Sequence, residues 1–227
     1  AACAICEGAP DFGPCPVGSQ IVHVDAIKAE QAGCVAVILQ VGEGGGHTGL
    51  VGTLPLVAQA VEAVDIPVIA AGGIYDGRGL AAALSLGAVG VWMGTRFIAS
   101  AEAHAAQSYK ETVVGAGDTD TTRTRCYSGK PMRCRTNDYI LDWEGRPDEI
   151  QAFPMQAALS VQTDVIGGIG GVSDETRLDA TKSCFAMGQS AGGVKDILPV
   201  KEIVDRIMAE ADGAIARVAG LRVKETA

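Results

Sequence analysis

The sequence predicts an α/β fold, part of a (β/α)8 TIM barrel with an inserted helical cap, and three observations carry that prediction. Short β-branched runs alternate with glycine-rich turns and Ala-rich stretches through the first half of the chain. That alternation is the mark of βα units and a parallel sheet. The strand-like runs IPVIAA (66–71) and VGVWM (89–93) are each followed directly by glycine, and VAVILQ (35–40) by Val41 and then Gly42. The turns after strand ends are where such folds bind ligands. Of 227 residues, 48% are hydrophobic, 20% charged and only 4% aromatic. That mix suits buried parallel strands with small-residue helix contacts.

The elements follow in order. AACAIC at the start reads as a buried strand. Its Cys3 and Cys6 form a CxxC, which suggests metal or redox chemistry, but strand positions three apart point to opposite faces. Residues 21–24, with His23, read as a strand and residues 26–32 as a short helix. After the strand at 35–40 comes a loop over 41–53, then a helix over 55–64 with Pro55 in its first turn. The strand at 66–71 leads to a helix over 78–86, stopped by Gly87. The strand at 89–93 turns at Gly94 and Thr95, and His104 follows in an Ala-rich stretch that reads as helical.

Residues 109–190 break this rhythm and read as the inserted cap, with a glycine cluster at 167–171. Within it, Arg123, Arg125, Lys130, Arg133 and Arg135 form either a solvated basic face or a contact to a phosphorylated co-substrate. At the end, Val200, Ile203, Val204, Ile207, Met208, Ala211 and Ile215 recur at helical spacing, which predicts a core-facing closing helix. The expected organisation is therefore 1–108 as barrel, 109–187 as insertion and 188–227 as the return to the barrel. Four or five strands are countable where a closed barrel needs eight, so the N-terminal strands are expected to be missing from this chain.

Composition also excludes some functions. A net charge of −9 argues against a general nucleic-acid binder, which needs basic surface to neutralise phosphates. It does not exclude a single phosphate held by backbone N–H groups. No apolar run approaches the roughly 18 residues needed to span a membrane. Seven cysteines, an odd number in a chain of this size, do not suggest a disulfide framework, and Cys34 sits among apolar residues. A reducing, cytoplasmic setting is the default expectation, and no metal site is expected.

Three constellations carry chemistry. In ILQVGEGGGHTG (38–49), the consecutive glycines Gly44, Gly45 and Gly46 let backbone approach a flat ligand closely. Gln40 can donate to and accept from a heterocycle edge, and His47 is placed to reach a substrate and move protons near neutral pH. A surface loop with a structural histidine fits the same spacing. The second and third constellations are Gly72 and Gly73 after one strand, and Met93, Gly94 and Thr95 after the next. Consecutive βα loops of this kind form the phosphate cradle of phosphate-binding barrels. Plain turn-tightening is the alternative reading.

The runs VILQVGEGGGHTG (37–49), IPVIAAGGIYDGRGLAAALSLGAVGVWMGTRFIAS (66–100) and TRCYSGKPMRCRTNDYILDWEG (124–145) resemble the nitronate monooxygenase family, as does GQSAGGVKDILP (188–199) before the closing helix. The resemblance implies a TIM barrel with an inserted helical domain and a non-covalently bound FMN. It places Gln40 by the flavin ring, with Gly45 and Gly46 counted among the cofactor-binding residues. Gly73, Met93, Gly94 and Thr95 come by the phosphate, with Gly72 also cofactor-binding, and Gly188, Gln189 and Ser190 in a late loop near the flavin. His47 takes the place of the active-site histidine. The sequence departs from the pattern at Val41-Gly42, whose order is swapped. The implied reaction is oxidation of nitronates with molecular oxygen, in a protein compatible with a homodimer. Two alternatives stay open: an FMN-dependent NAD(P)H:quinone or enoyl-thioester reductase, and a flavin-free barrel that binds a phosphate ligand.

Overall fold

The computed structural model describes residues 3–6, 17–20, 23–166 and 178–221. Its main sheet has five strands: β1 (Cys3–Cys6), β2 (Val17–Gln20), β3 (Ala36–Gln40), β5 (Val68–Ala71) and β6 (Gly90–Met93). Their spatial order is β1-β6-β5-β3-β2. β2, β3, β5 and β6 run parallel, as expected, whereas β1 is antiparallel to β6, pairing Cys3 with Met93 and Cys6 with Gly90. The described sheet is an open α/β sheet and not a closed barrel.

Helices α1 (His23–Gln31), α2 (Thr53–Ala63) and α3 (Gly77–Ser85) connect the strands. His23 was expected in a strand, but it opens α1. The strand lies earlier, because VGSQ pairs in parallel with residues 36–39. His23 and Val24 then join the helix, whose first turn gains Asp25 at the positive end of the dipole. The glycine cluster expected at 167–171 lies outside the described residues, as do Cys15 and the side chains of Cys3 and Cys6.

Strand parity sorts the sheet into two faces. Val37, Leu39, Val41, Val68, Ala70, Val91 and Met93 join Leu56, Val57, Leu80, Ile203 and Ile207 in one core. Ile38, Gln40 and Trp92, on the opposite parity, are only half-buried. The strands are therefore not equally covered on both faces, and Val89, expected inside, is 39% exposed.

The closing helix α8 (Val200–Ala219) buries Ile203, Ile207, Ala211 and Ala214, while Ile215 is exposed at 46%. It packs on α3 through a glycine contact. A Cβ at Gly77 would come within 2.2 Å of the Ile207 carbonyl oxygen. The Gly77 N–H instead donates to the Glu210 carboxylate at 3.0 Å.

Residues 109–190 are not purely helical. They carry α6 (Asp138–Glu144) and α7 (Met155–Gln162), but also a hairpin of β7 (Thr121–Thr124) and β8 (Met132–Arg135). β8 pairs with β4 (Gly46–His47), so the loop expected over 41–53 contributes a strand to a second, three-stranded sheet. A separate core gathers Cys126, Tyr127, Met132, Cys134, Ile140, Ile150, Val165 and Cys184. Cys34, Cys126, Cys134 and Cys184 are free thiols. Burial pushes the Cys126 thiol up to about 12, with Cys134 and Glu144 adding to the rise, so it stays protonated.

Candidate active site

The carboxyl ends of β3, β5 and β6 open onto a cleft of about 890 Å³, within the roughly 300–1,000 Å³ typical of small-molecule and cofactor sites. Gln40, Gly45, Gly72, Gly73, Met93, Gly94, Thr95 and Ser190, all singled out from sequence, line it together. Gly46, His47 and Gln189 do not.

The cleft's backbone is packed so closely that glycine is required at several points. Gly72 has φ +124 and Gly73 φ +72, a region L side chains rarely adopt. A Cβ at Gly72 would lie 2.5 Å from Val41 Cγ2, and one at Gly45 would lie 2.7 Å from the Met187–Gly188 backbone. Gly94 differs. Its φ of −92 is ordinary, and a Cβ there would meet nothing within 4 Å. Space is left open at the strand end where the phosphate was expected.

Glu43 braces two of these turns. Its carboxylate accepts from the Thr53 N–H at 3.3 Å, and the single Thr53 hydroxyl hydrogen lies between the Glu43 carboxylate and the Gly72 carbonyl, the latter 2.8 Å from the hydroxyl oxygen. The Glu43 carbonyl accepts from the Gln189 N–H at 2.9 Å, and the Gly188 N–H donates to the Thr95 hydroxyl at 2.9 Å. The late loop 188–190 thus bridges the first constellation and the third. Gln189 serves there through its backbone.

Gln40 donates its amide N–H to the His47 carbonyl at 2.5 Å, which orients the amide plane at the cleft wall. His47 itself stands on β4, exposed, with its Nε2 bonded to the Ser128 hydroxyl at 2.8 Å. Partial burial of the ring, and then the positive charge of Lys130, hold its pKa below the ordinary value.

The basic segment is largely used within the protein. Arg133 Nε donates to the Gly42 carbonyl at 3.1 Å, and Arg123 and Arg125 donate to the carbonyls of Gly49 and Ile150, both at 3.4 Å. Arg135 pairs with Asp120, and Lys130 lies 4.1 Å from the Phe153 ring centre. The Arg133 and Arg123 contacts hold the hairpin against the glycine loop. No group of metal-ligating side chains occurs among the described residues, and none of the described helices is long and apolar enough to cross a membrane.

The nitronate monooxygenase family model matches residues 15–210. This chain belongs to the nitronate monooxygenase family. A probable nitronate monooxygenase from Staphylococcus saprophyticus is 43% identical over 155 residues, 63% of this chain and 44% of that protein. A Rhodococcus jostii protein, named (3aS,4S,5R,7aS)-5-hydroxy-7a-methyl-1-oxo-octahydro-1H-indene-4-carboxyl-CoA dehydrogenase, is 35% identical over 87% of this chain and 64% of its own length. Among solved structures, FabK from Thermotoga maritima superposes with a TM-score of 0.79 at 38% identity, covering 90% of this chain and 63% of that one. Nitroalkane oxidase from Streptomyces ansochromogenes gives 0.76 at 30% identity, covering 89% and 58%. The chain thus spans about half to two thirds of the length of these relatives.

Within this nitronate monooxygenase-family cleft, sequence reasoning missed Trp92, Glu102, His104 and Tyr109, which also line it. His104 was expected in a helix. It lies instead in the turn between α4 (Thr95–Ile98) and α5 (Gln107–Val114). The chain is pinned there by the Ala101 N–H on the Leu198 carbonyl at 2.9 Å and by Lys110 Nζ on the Ala101 carbonyl at 3.0 Å. The signal was its place just downstream of a strand's carboxyl end, where barrel folds put functional side chains; Ala-rich composition masked it.

Proposed function

We propose that the protein carrying this chain is an FMN-dependent oxidoreductase that oxidises nitronates with molecular oxygen. The observation that carries this reading is one cleft lined by Gln40, Gly45, Gly72, Gly73, Met93, Gly94, Thr95 and Ser190 in a chain of the nitronate monooxygenase family. The open space above Gly94 beside the positive-φ turn at Gly72 and Gly73 is a cradle that added Cβ atoms would narrow or distort. Those backbones would hold the phosphate, and Gln40, Gly45 and Gly46 would face the ring. FMN when bound supplies the redox chemistry, and the protein supplies position, polar contacts and water exclusion. His47, with its pKa held below the ordinary value, lies outside the cleft lining, and its proposed role is a polar contact to the nitronate or a base towards the parent nitroalkane. The domain reading follows the same lines, with 109–187 as an insertion whose Cys126–Cys184 core is its own. The absorption spectrum of the purified protein, FMN release on heating, and oxygen uptake with propyl-1-nitronate test the proposal. A colourless protein would favour the flavin-free phosphate-binding barrel.

A second reading uses the same cleft to exchange electrons between NAD(P)H and a quinone or an enoyl thioester. The relative covering 87% of the chain favours it, being named a dehydrogenase of a carboxyl-CoA compound. NADPH oxidation with a quinone or an enoyl thioester, against oxygen uptake with a nitronate, separates the two.

A further inference from the structure

The groups placed against the phosphate so far are backbone donors, none of them a charged side chain. FMN carries a phosphate dianion and a nitronate is an anion, yet no Lys or Arg occurs among the described residues that line the cleft. The titratable lining side chains are Glu102, His104 and Tyr109. Glu102 is engaged, accepting the Val200 N–H at the start of α8 at 2.8 and 3.1 Å. Tyr109 donates its hydroxyl to the Ala186 carbonyl and is kept protonated by burial. His104 is exposed and makes no hydrogen bond or ion pair with any described residue. His47, in contrast, is bonded to Ser128 and does not line the cleft.

We propose that His104 is the cationic ligand-binding residue of this cleft, its imidazolium pairing with an oxyanion group of the bound molecule. An anion beside an imidazole favours its charged form and gains a charge-assisted hydrogen bond. The two sources of that oxyanion are the phosphate of FMN and the anionic oxygen of the nitronate. The inference rests on the cleft being the ligand site proposed above.

The test uses the protein carrying this chain, with His104→Gln to remove the charge and His104→Lys to restore it. If His104 holds the phosphate, His104→Gln weakens FMN binding by about tenfold or more while riboflavin binding is unchanged. If it holds the nitronate, FMN binding is unchanged and KM for propyl-1-nitronate at saturating FMN rises by about the same factor. His104→Lys recovers the lost affinity in either case. Unchanged FMN affinity together with unchanged KM overturns the assignment. A wild-type protein that binds no flavin would overturn the proposed function without deciding the role of His104. The imidazole is then followed by NMR with inorganic phosphate and with propyl-1-nitronate. An upward shift of its titration midpoint with either supports the pairing, and a fixed midpoint with both rejects it.

Discussion

The Gly188 N–H donates to the hydroxyl of Thr95 at 2.9 Å, and both residues are buried. One bond therefore joins the late loop to the turn after β6, across 93 positions of sequence. Thr95→Val keeps the shape but leaves that donor without a partner in a buried place. The expected cost is about 1–3 kcal/mol, read as a lower urea midpoint with unchanged slope. Thr95→Ser retains the acceptor and should recover most of the loss. A Thr95→Val protein as stable as wild type would show that water or backbone adjustment satisfies Gly188.

His47 makes a pH prediction. Its ordinary value is 6.5, and partial burial with the nearby Lys130 charge lowers it. Between the folded value and about 6.5 the unfolded chain binds more protons than the folded one. The contribution of His47 to stability is therefore complete above 6.5 and is lost as pH falls through that window. Lys130→Met removes the repulsion, so the midpoint of the His47 ring measured by NMR should move up towards 6.5. A midpoint unmoved by Lys130→Met would leave burial as the sole cause. For function, His47→Ala should lower turnover roughly 10²–10⁴-fold with FMN retained if the ring transfers protons. A rise in KM alone would make it a binding group.

The parallel strands and the glycine turns were legible in the sequence because both are local. Residues 35–40 and 66–71 carry β-branched runs, and Gly72 and Gly73 carry the positive φ that only a turn needs. The pairings that place the site are not local. Nothing near His47 in sequence shows that β4 would pair with β8, more than 80 residues on, and nothing near His104 shows that Leu198 would pin its turn. His23 went to the wrong element for a related reason. IVHV has the composition of a strand, and only the pairing of residues 17–20 with β3 shows that the strand lies earlier.

Arg96 is 6% exposed and lies between Asp196 and two carbonyls. Its Nη1 is 2.8 Å from the Asp196 carboxylate, and its Nη2 donates to the carbonyls of Ala99 and Asp196, both at 2.9 Å. Burial pushes the Asp196 carboxyl up, but hydrogen bonds from Arg206 and Arg96 outweigh it and the net shift is down. That stability is present above the unfolded carboxylate range and is lost as pH falls through the folded value. Asp196→Asn leaves a buried guanidinium without its counter-ion. The expected loss is roughly 2–3 kcal/mol, less than the 3–5 of a fully buried pair because Asp196 is partly solvated. It should be largest near pH 7 and fade at low pH. A loss independent of pH would mean that the carboxylate's charge is not what holds Arg96.

Gly94→Leu separates the fold from the flavin. Gly94 has φ −92 and ψ −65, which leucine adopts without strain. A Cβ there meets no atom within 4 Å, and the residue lines the cleft. The added side chain would therefore project into the space proposed for the FMN phosphate without displacing protein atoms. Thermal stability of the apoprotein should stay within about 0.5 kcal/mol of wild type, as for a surface change away from packed features, while FMN is lost on purification. Gly72→Ala should do the reverse of a clean removal. Its Cβ strikes Val41 Cγ2 at 2.5 Å and its φ of +124 strains any side chain, so folding itself suffers, by of order 1–3 kcal/mol for the strain alone. Full flavin occupancy in Gly94→Leu would place the phosphate elsewhere in the cleft. A Gly94→Leu apoprotein as destabilised as Gly72→Ala would mean the space above Gly94 is not open in solution.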